Sequence, residues 1–216
     1  MIRAAIKIIL WYPLYKKTRS SKTFTFQGDT YNYFIHYYNV TWENERSVEI
    51  PIARKIVNEY LGKKVLEIGN VLSNYFAFDH DILDKYERGP GLINEDVCDF
   101  QPDRKYDLII SVSTMEHVGW DEPVREPRKI LKGVENLKTL LAPQGKLVIT
   151  IPVGYNTDLD KLLNDGELKF TKMYCLKKLS KDNEWKEVGW DDISHAKYNY
   201  PYPGVNGSII GIIENK

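Results

Sequence analysis

One short stretch constrains the fold more than any other: Val65-Leu66-Glu67-Ile68-Gly69-Asn70-Val71-Leu72-Ser73-Asn74-Tyr75. An apolar run, interrupted only by Glu67, stops at a glycine and passes into small polar residues. A buried parallel strand that enters a tight turn and then a helix has this pattern. In open α/β sheets, ligands bind beyond the carboxyl ends of the strands. Glu67, beside a glycine that lets a ligand approach the backbone, is therefore a candidate site residue. The plainer alternative is one more strand-to-helix turn with a capping glycine.

The rest of the chain supplies strands and helices in alternation. Thr23-Phe24-Thr25-Phe26 alternates like a short strand, and Gly28-Asp29 is a turn signal. Residues 42–60 carry Ile50, Ile52, Ala53, Ile56, Val57 and Tyr60 at helical spacing, with Pro51 near the start and Gly62 at the end. Arg46 and Glu49, near its start, face a ligand or form a solvated i,i+3 pair; the pair is the expectation. Strands follow at 65–68, at Ile82-Leu83-Asp84, at 92–97 and at 106–113. A helix is predicted over 130–141, a turn at Pro143-Gln144-Gly145, and a fifth strand at 146–151 stopped by Pro152. Beyond it, a short helix at 159–164, a hairpin of 170–179 with 185–188, and a strand at 208–213 are predicted. Such alternation argues a parallel α/β sheet.

Composition narrows the function. The 216 residues fit one domain, residues 23–216, preceded by an extension of residues 1–22. Thirty basic residues balance 30 acidic ones, so nothing in the charge points to nucleic acid as the partner. Cys98 and Cys175 have no metal-ligand spacing, and without a secretory signal no disulfide is expected. Residues 1–17 are basic and aromatic, and their apolar part is too short to span a bilayer. They read as a helix on an anionic membrane surface, or one packed on its own domain or a partner. With no signal peptide, the expected location is cytoplasmic, with membrane association through this segment.

Three acids then fall at comparable places: Glu67 closes the first strand, Asp84 the second and Asp96 the third. Parallel neighbours bring such strand ends to one edge of the sheet. An acid after the second strand suits the two hydroxyls of a ribose, and one after the third suits an exocyclic adenine amine. Backbone amides at the Gly69 turn can hold a polar tail. With these residues the chain resembles the class I methyltransferases dependent on S-adenosylmethionine (SAM). The resemblance is carried by Val65-Leu66-Glu67-Ile68-Gly69-Asn70, by Asp84, by Glu95-Asp96-Val97, and by residues 106–111 running into Ser113-Thr114-Met115-Glu116-His117-Val118. Residues 140–149 match that family's helix, turn and fifth strand. The resemblance covers residues 45 to 155.

It implies a Rossmann-like three-layer αβα sandwich on a seven-stranded, mostly parallel sheet with one antiparallel strand, and SAM as methyl donor. By position, Glu67, Gly69 and Asn70 would lie near the amino-acid part of SAM, Asp84 at the ribose with Lys85 beside it, Asp96 and Val97 at the adenine, and Ser113 beneath the methionine. The family's further glycines are replaced by Val71 and Ser73, which leaves the turn less open. A nicotinamide dehydrogenase fits worse, since G-x-G-x-x-G is absent.

Methyl transfer asks for in-line positioning and, for an oxygen nucleophile, a base. His117 is the candidate base and Glu116 its partner; the plainer reading is that the two merely start a helix. Ser113 stands where metal-binding members carry a glutamate, so no metal is expected. Trp120, Asp121, Glu122, Tyr155 and Asn156 are the candidate acceptor contacts. The expected activity is methyl transfer to a small-molecule or glycan-like acceptor. The alternative is a non-catalytic relative that binds a nucleoside or a protein partner.

Overall fold

The computed structural model describes residues 2–215, with side chains from residue 11 onward. Helix α1 (Ile2–Arg19) leads into the antiparallel hairpin β1 (Thr23–Phe26) and β2 (Asp29–Asn32). Its two-residue turn, Gln27-Gly28, has both φ angles positive, 52° and 79°, as a turn matched to strand twist requires. Phe24 and Phe26 point inward from β1 and are buried. Helix α2 (Arg46–Glu59) follows. Pro51 lacks the N–H that would bond the Ser47 carbonyl one turn back. Phe34 N–H bonds that carbonyl instead, at 2.8 Å, so the proline stitches the 33–35 segment to the helix.

Next come β3 (Val65–Ile68), β4 (Asp81–Leu83), β5 (Leu92–Ile93), β6 (Tyr106–Val112), α3 (Lys129–Thr139), β7 (Leu141–Val153), α4 (Thr157–Asn164), β8 (Lys172–Lys178), β9 (Trp185–Val188) and β10 (Gly207–Glu214). The last eight strands form one sheet in the order β5-β4-β3-β6-β7-β10-β8-β9. Strands β3 to β7 are parallel; β10 runs antiparallel to both its neighbours, and β9 antiparallel to β8. The sheet therefore has eight strands rather than the expected seven, with two reversed rather than one, because the 170–188 hairpin adds both its arms.

Helix α2 and the β1–β2 hairpin cover one face, over a core of Ile50, Val57, Leu108, Ile110 and Ile210. Helices α3 and α4 cover the other, over Ile109, Leu137, Ile149, Leu159 and Ile209. This is an α/β Rossmann-like sandwich, thin on one side. The helix expected after Gly69 is a single 3₁₀ turn, Leu72–Asn74. In its place Tyr75 packs against Phe34 and His36, Phe76 against Phe34, and Phe78 against Phe76. The Pro143–Gly145 turn lies inside β7 as an irregularity, where the register with β6 shifts.

Helix α1 lies partly on its own domain. Tyr15 stacks on Trp42 with ring centroids 5.6 Å apart, the Tyr12 ring lies tilted against Trp42 at 5.8 Å, and Arg19 pairs with Asp182 at 3.0 Å. Among the described residues, no helix is long and apolar enough to cross a membrane. Cys98 and Cys175 are both free.

Candidate functional site

From β3 the chain moves outward through β4 and β5, then crosses back to place β6 on the other side of β3. The carboxyl ends of β3 and β6 thus flank the switch point where open sheets hold ligands. A cavity of about 480 Å³ opens there. Its walls include Gly69, Asn70, Asp84, Lys85, Asp96, Val97 and Ser113, expected at the cofactor, and His117, Asp121 and Glu122, expected on the acceptor side, together with Val71, Tyr86, Glu87, Glu95 and Thr114. Gly69 is required in two ways. Its φ is +82°, and a Cβ there would collide with the Thr114 side chain.

Glu67 does not reach the cavity. It is fully buried. Its Oε1 accepts from Val71 N–H (2.8 Å) and Leu72 N–H (2.6 Å), and its Oε2 lies 2.8 Å from His80 Nε2. The carboxylate ties off the turn itself. That also corrects the expectation that the amides of this turn are open to a ligand tail, because Asn70 N–H is likewise taken, by Asp84 Oδ2 at 3.1 Å.

Asp84 Oδ1 accepts from Tyr86 N–H (2.9 Å) and Glu87 N–H (2.7 Å). Asn70 Nδ2 donates to Glu87 Oε1 at 2.6 Å. Three of the carboxylate's roughly four acceptor positions are thus spent on holding the β3 and β4 turns together. Asp96 anchors a group of four charges. Its Oδ2 accepts from Lys85 Nζ (2.8 Å) and Lys129 Nζ (2.7 Å), and Glu122 accepts from the same two amines at 3.1 and 2.6 Å. Burial opposes ionisation of Asp96, but hydrogen bonds from Lys129, Lys85 and the Cys98 amide outweigh it and hold the carboxyl well below its usual range. No sequence signal marked Lys129, which begins α3 and lies 33 positions beyond Asp96.

On the acceptor side, Met115–His117 is a 3₁₀ turn rather than the start of a helix. His117 Nδ1 lies 2.5 Å from Asp121 Oδ2, and Tyr155 Oη donates to the same oxygen at 2.7 Å. The Tyr155 ring meets the imidazole edge-on at 5.2 Å. Burial works against ionisation of Asp121, yet the bonds from His117 and Tyr155 lower its pKa overall. Asn156 caps α4 through Asp158 N–H and Leu159 N–H, and its Nδ2 donates to the Glu116 carbonyl at 2.7 Å. Asn156 is buried and Trp120 lies under the Arg125 guanidinium, 3.5 Å from the ring centroid. Tyr155, Asn156 and Trp120 all stand outside the cavity walls.

Glu116 is also behind the wall, 2% exposed. Its Oε1 lies 3.6 Å from His117 Nε2, and burial above all pushes its carboxyl well above the usual range. The expected solvated pair of Arg46 and Glu49 is instead internal. Glu49 is fully buried and accepts from Ser113 Oγ and Ser208 Oγ, both at 2.8 Å. Arg46 donates to the carbonyls of Val112 (2.7 Å) and Ser113 (3.1 Å).

Neither a protein-family model nor a curated protein matches the sequence. Solved structures similar to the chain include a SAM-dependent methyltransferase from Archaeoglobus fulgidus, at 13% identity over 82% of this chain and 97% of that one, TM-score 0.49. An rRNA methylase from Streptococcus thermophilus is 10% identical over 78% and 97%, TM-score 0.47. The N-methyltransferase NodS from Bradyrhizobium japonicum, in complex with S-adenosyl-L-homocysteine, is 13% identical over 80% and 93%, TM-score 0.43.

Proposed function

We propose that this protein transfers a methyl group from SAM to a small-molecule or glycan-like acceptor. The observation that carries the reading is the charge of the switch-point cavity. Asp84, Glu87, Glu95, Asp96, Asp121 and Glu122 line it, against Lys85 as the only lysine or arginine among its walls. An acid-walled cavity beside a glycine turn suits a cationic nucleoside, and SAM carries a sulfonium whose methyl group is already activated. Asp84 has acceptor capacity left for a ribose hydroxyl, and Val97 with Asp96 borders the place for the base. Asp121 on Nδ1 selects the imidazole tautomer with Nε2 free, so His117 can take the proton of an acceptor hydroxyl.

Calorimetric titration with SAM and its demethylated product tests the first step. A folded protein that binds neither overturns the reading. In Asp84→Ala, affinity is expected to fall more than tenfold, about 1.4 kcal/mol, because the variant loses the ribose acceptor and frees the Asn70, Tyr86 and Glu87 amides. Unchanged affinity would remove Asp84 from the site.

A second reading has its own support. Every amide of the 70–72 turn is bonded to a carboxylate of the protein, which suits a nucleoside-binding protein without transferase activity. Binding without transfer to any acceptor would favour it. For residues 1–17, membrane contact rests on Trp11 and Leu14, each about half exposed on α1. Vesicles containing anionic lipid are expected to bind the protein several-fold more weakly once both are changed to serine; equal binding refutes the contact.

A further inference from the structure

A second cavity, of about 380 Å³, opens over the ends of β8 and β10. It lies along the same edge of the sheet as the switch-point cavity. Gly207, where β10 begins, stands opposite both Val153 at the end of β7 and Lys177 near the end of β8. Strand β7 is parallel to β6, so these ends face the side on which Ser113 and His117 stand. Tyr200 lines the second cavity together with Lys177, Lys197, Asp191, Asp192 and His195. A row of rings joins the two cavities. Tyr155 meets His117 at 5.2 Å and Tyr198 at 5.6 Å, both edge-on, and Tyr198 is flanked in the chain by Lys197 and Tyr200. Tyr198 is 43% exposed and Tyr200 70%. The loop that carries them is nevertheless fixed from inside. Buried Asn206 donates through Nδ2 to the carbonyls of Tyr202 (2.8 Å) and Gly204 (3.0 Å) and accepts from Tyr202 N–H (3.1 Å). Tyr202 Oη donates to the Leu179 carbonyl at 2.7 Å. A Cβ on Gly154 would collide with the backbone of Ala196 and Tyr198, so the loop is seated on the chain just before Tyr155. Tyrosine offers a large amphipathic contact at low entropic cost, and a loop fixed beforehand lowers that cost further.

We propose that Tyr198, Tyr200 and the second cavity form a distal acceptor subsite, and hence that the acceptor is a neutral oligosaccharide rather than a single small molecule. The inference deepens the methyltransferase reading above and rests on it for the role of His117. A pyranose ring presents an apolar C–H face and a rim of hydroxyls. A tyrosine ring covers the first. The second needs donors and acceptors side by side, and the cavity supplies both: Lys177 and Lys197 donate, Asp191 and Asp192 accept. These charges balance, so they offer no net attraction to an anionic or a cationic chain. Lys178 also borders the cavity, but its amine is bonded to the carbonyls of Glu43 and Pro203. The row of rings sets the direction. A sugar unit whose hydroxyl meets His117 leaves Tyr198 and Tyr200 to the units that follow. Tyr155 adds ring contact alone, since its hydroxyl is spent on Asp121. Tyr198 and Tyr200 position the acceptor in this account, and His117 moves the proton.

The test uses the full chain with maltotetraose, isomaltotetraose, cellotetraose and chitotetraose, each beside the methyl glycoside of its own sugar. Affinities are read by saturation-transfer NMR and calorimetry without SAM. Titration with SAM is run separately, so that a failed methyltransferase reading shows as absent SAM binding and a failed subsite as absent sugar binding. At least one tetrasaccharide is expected to bind tenfold or more tightly than its methyl glycoside. Tyr198→Ser and Tyr200→Ser should each weaken that tetrasaccharide tenfold or more and the methyl glycoside less than threefold, a dependence on chain length that general damage to the fold would not produce. Both side chains are exposed, so both variants are expected to keep the circular dichroism of the parent. Absent tetrasaccharide binding, equal affinity for long and short sugars, or an unchanged affinity in either folded variant overturns the proposal. So does a dimer in sedimentation that Tyr200→Ser dissolves, which would make this face an interface between copies of the chain.

Discussion

Replacing Glu67 with alanine is expected to destabilise the protein by about 3–5 kcal/mol, the scale for breaking a buried, hydrogen-bonded charge arrangement by removing one partner. Leu72 N–H and His80 lose their acceptor, and Val71 N–H keeps only the Gly69 carbonyl, at 3.0 Å. Both amides sit at the turn that replaces a helix, with no intrahelical carbonyl to fall back on. Equilibrium unfolding in urea measures the effect, and a loss below about 1 kcal/mol would show that the turn holds without its carboxylate. Glu67→Gln separates structure from binding. It keeps one acceptor oxygen, so it should cost less, and because Glu67 has no wall of the cavity the folded variant should bind SAM within threefold of the parent. A tenfold loss would return Glu67 to the ligand site.

The second large effect concerns His117. His117→Ala is expected to lower turnover by about 100-fold or more, the usual range for removing a general base, while SAM affinity stays within threefold. Steady-state transfer of labelled methyl groups gives the first quantity and calorimetry the second. Asp121→Asn should fall between the parent and His117→Ala, because it weakens the bond that sets the tautomer but leaves the imidazole in place. Turnover within threefold of the parent in His117→Ala would remove it as the base.

The order of acids along the chain pointed to the switch-point cavity better than any single motif. Asp84 and Asp96 line the cavity because the strands before them are parallel and adjacent, and a period-two or apolar-run reading captures that. Glu67 looked equivalent and is not. It sits inside the strand rather than beyond it, so its side chain enters the space under the turn. The missing helix was illegible for a related reason. Leu72, Tyr75 and Phe76 have the i, i+3, i+4 spacing of a helical face, and only the capture of two amides by Glu67 and the packing against Phe34 show that no helix forms. Arg46 and Glu49 read as a surface pair because helical spacing alone does not say which face is covered.

The sequence by itself determined the class of fold, the glycine on which the first turn depends and the acids at the strand ends. All of these are set by local pattern and by the geometry of parallel strands. The tertiary structure decided which carboxylates remain for a ligand. Asp96 is bonded to Lys129 across 33 residues, Glu49 to Ser208 across 159, and Glu67 to His80. A carboxylate buried away from water must find partners wherever the fold supplies them, and those partners lie at sequence distances that no local pattern records.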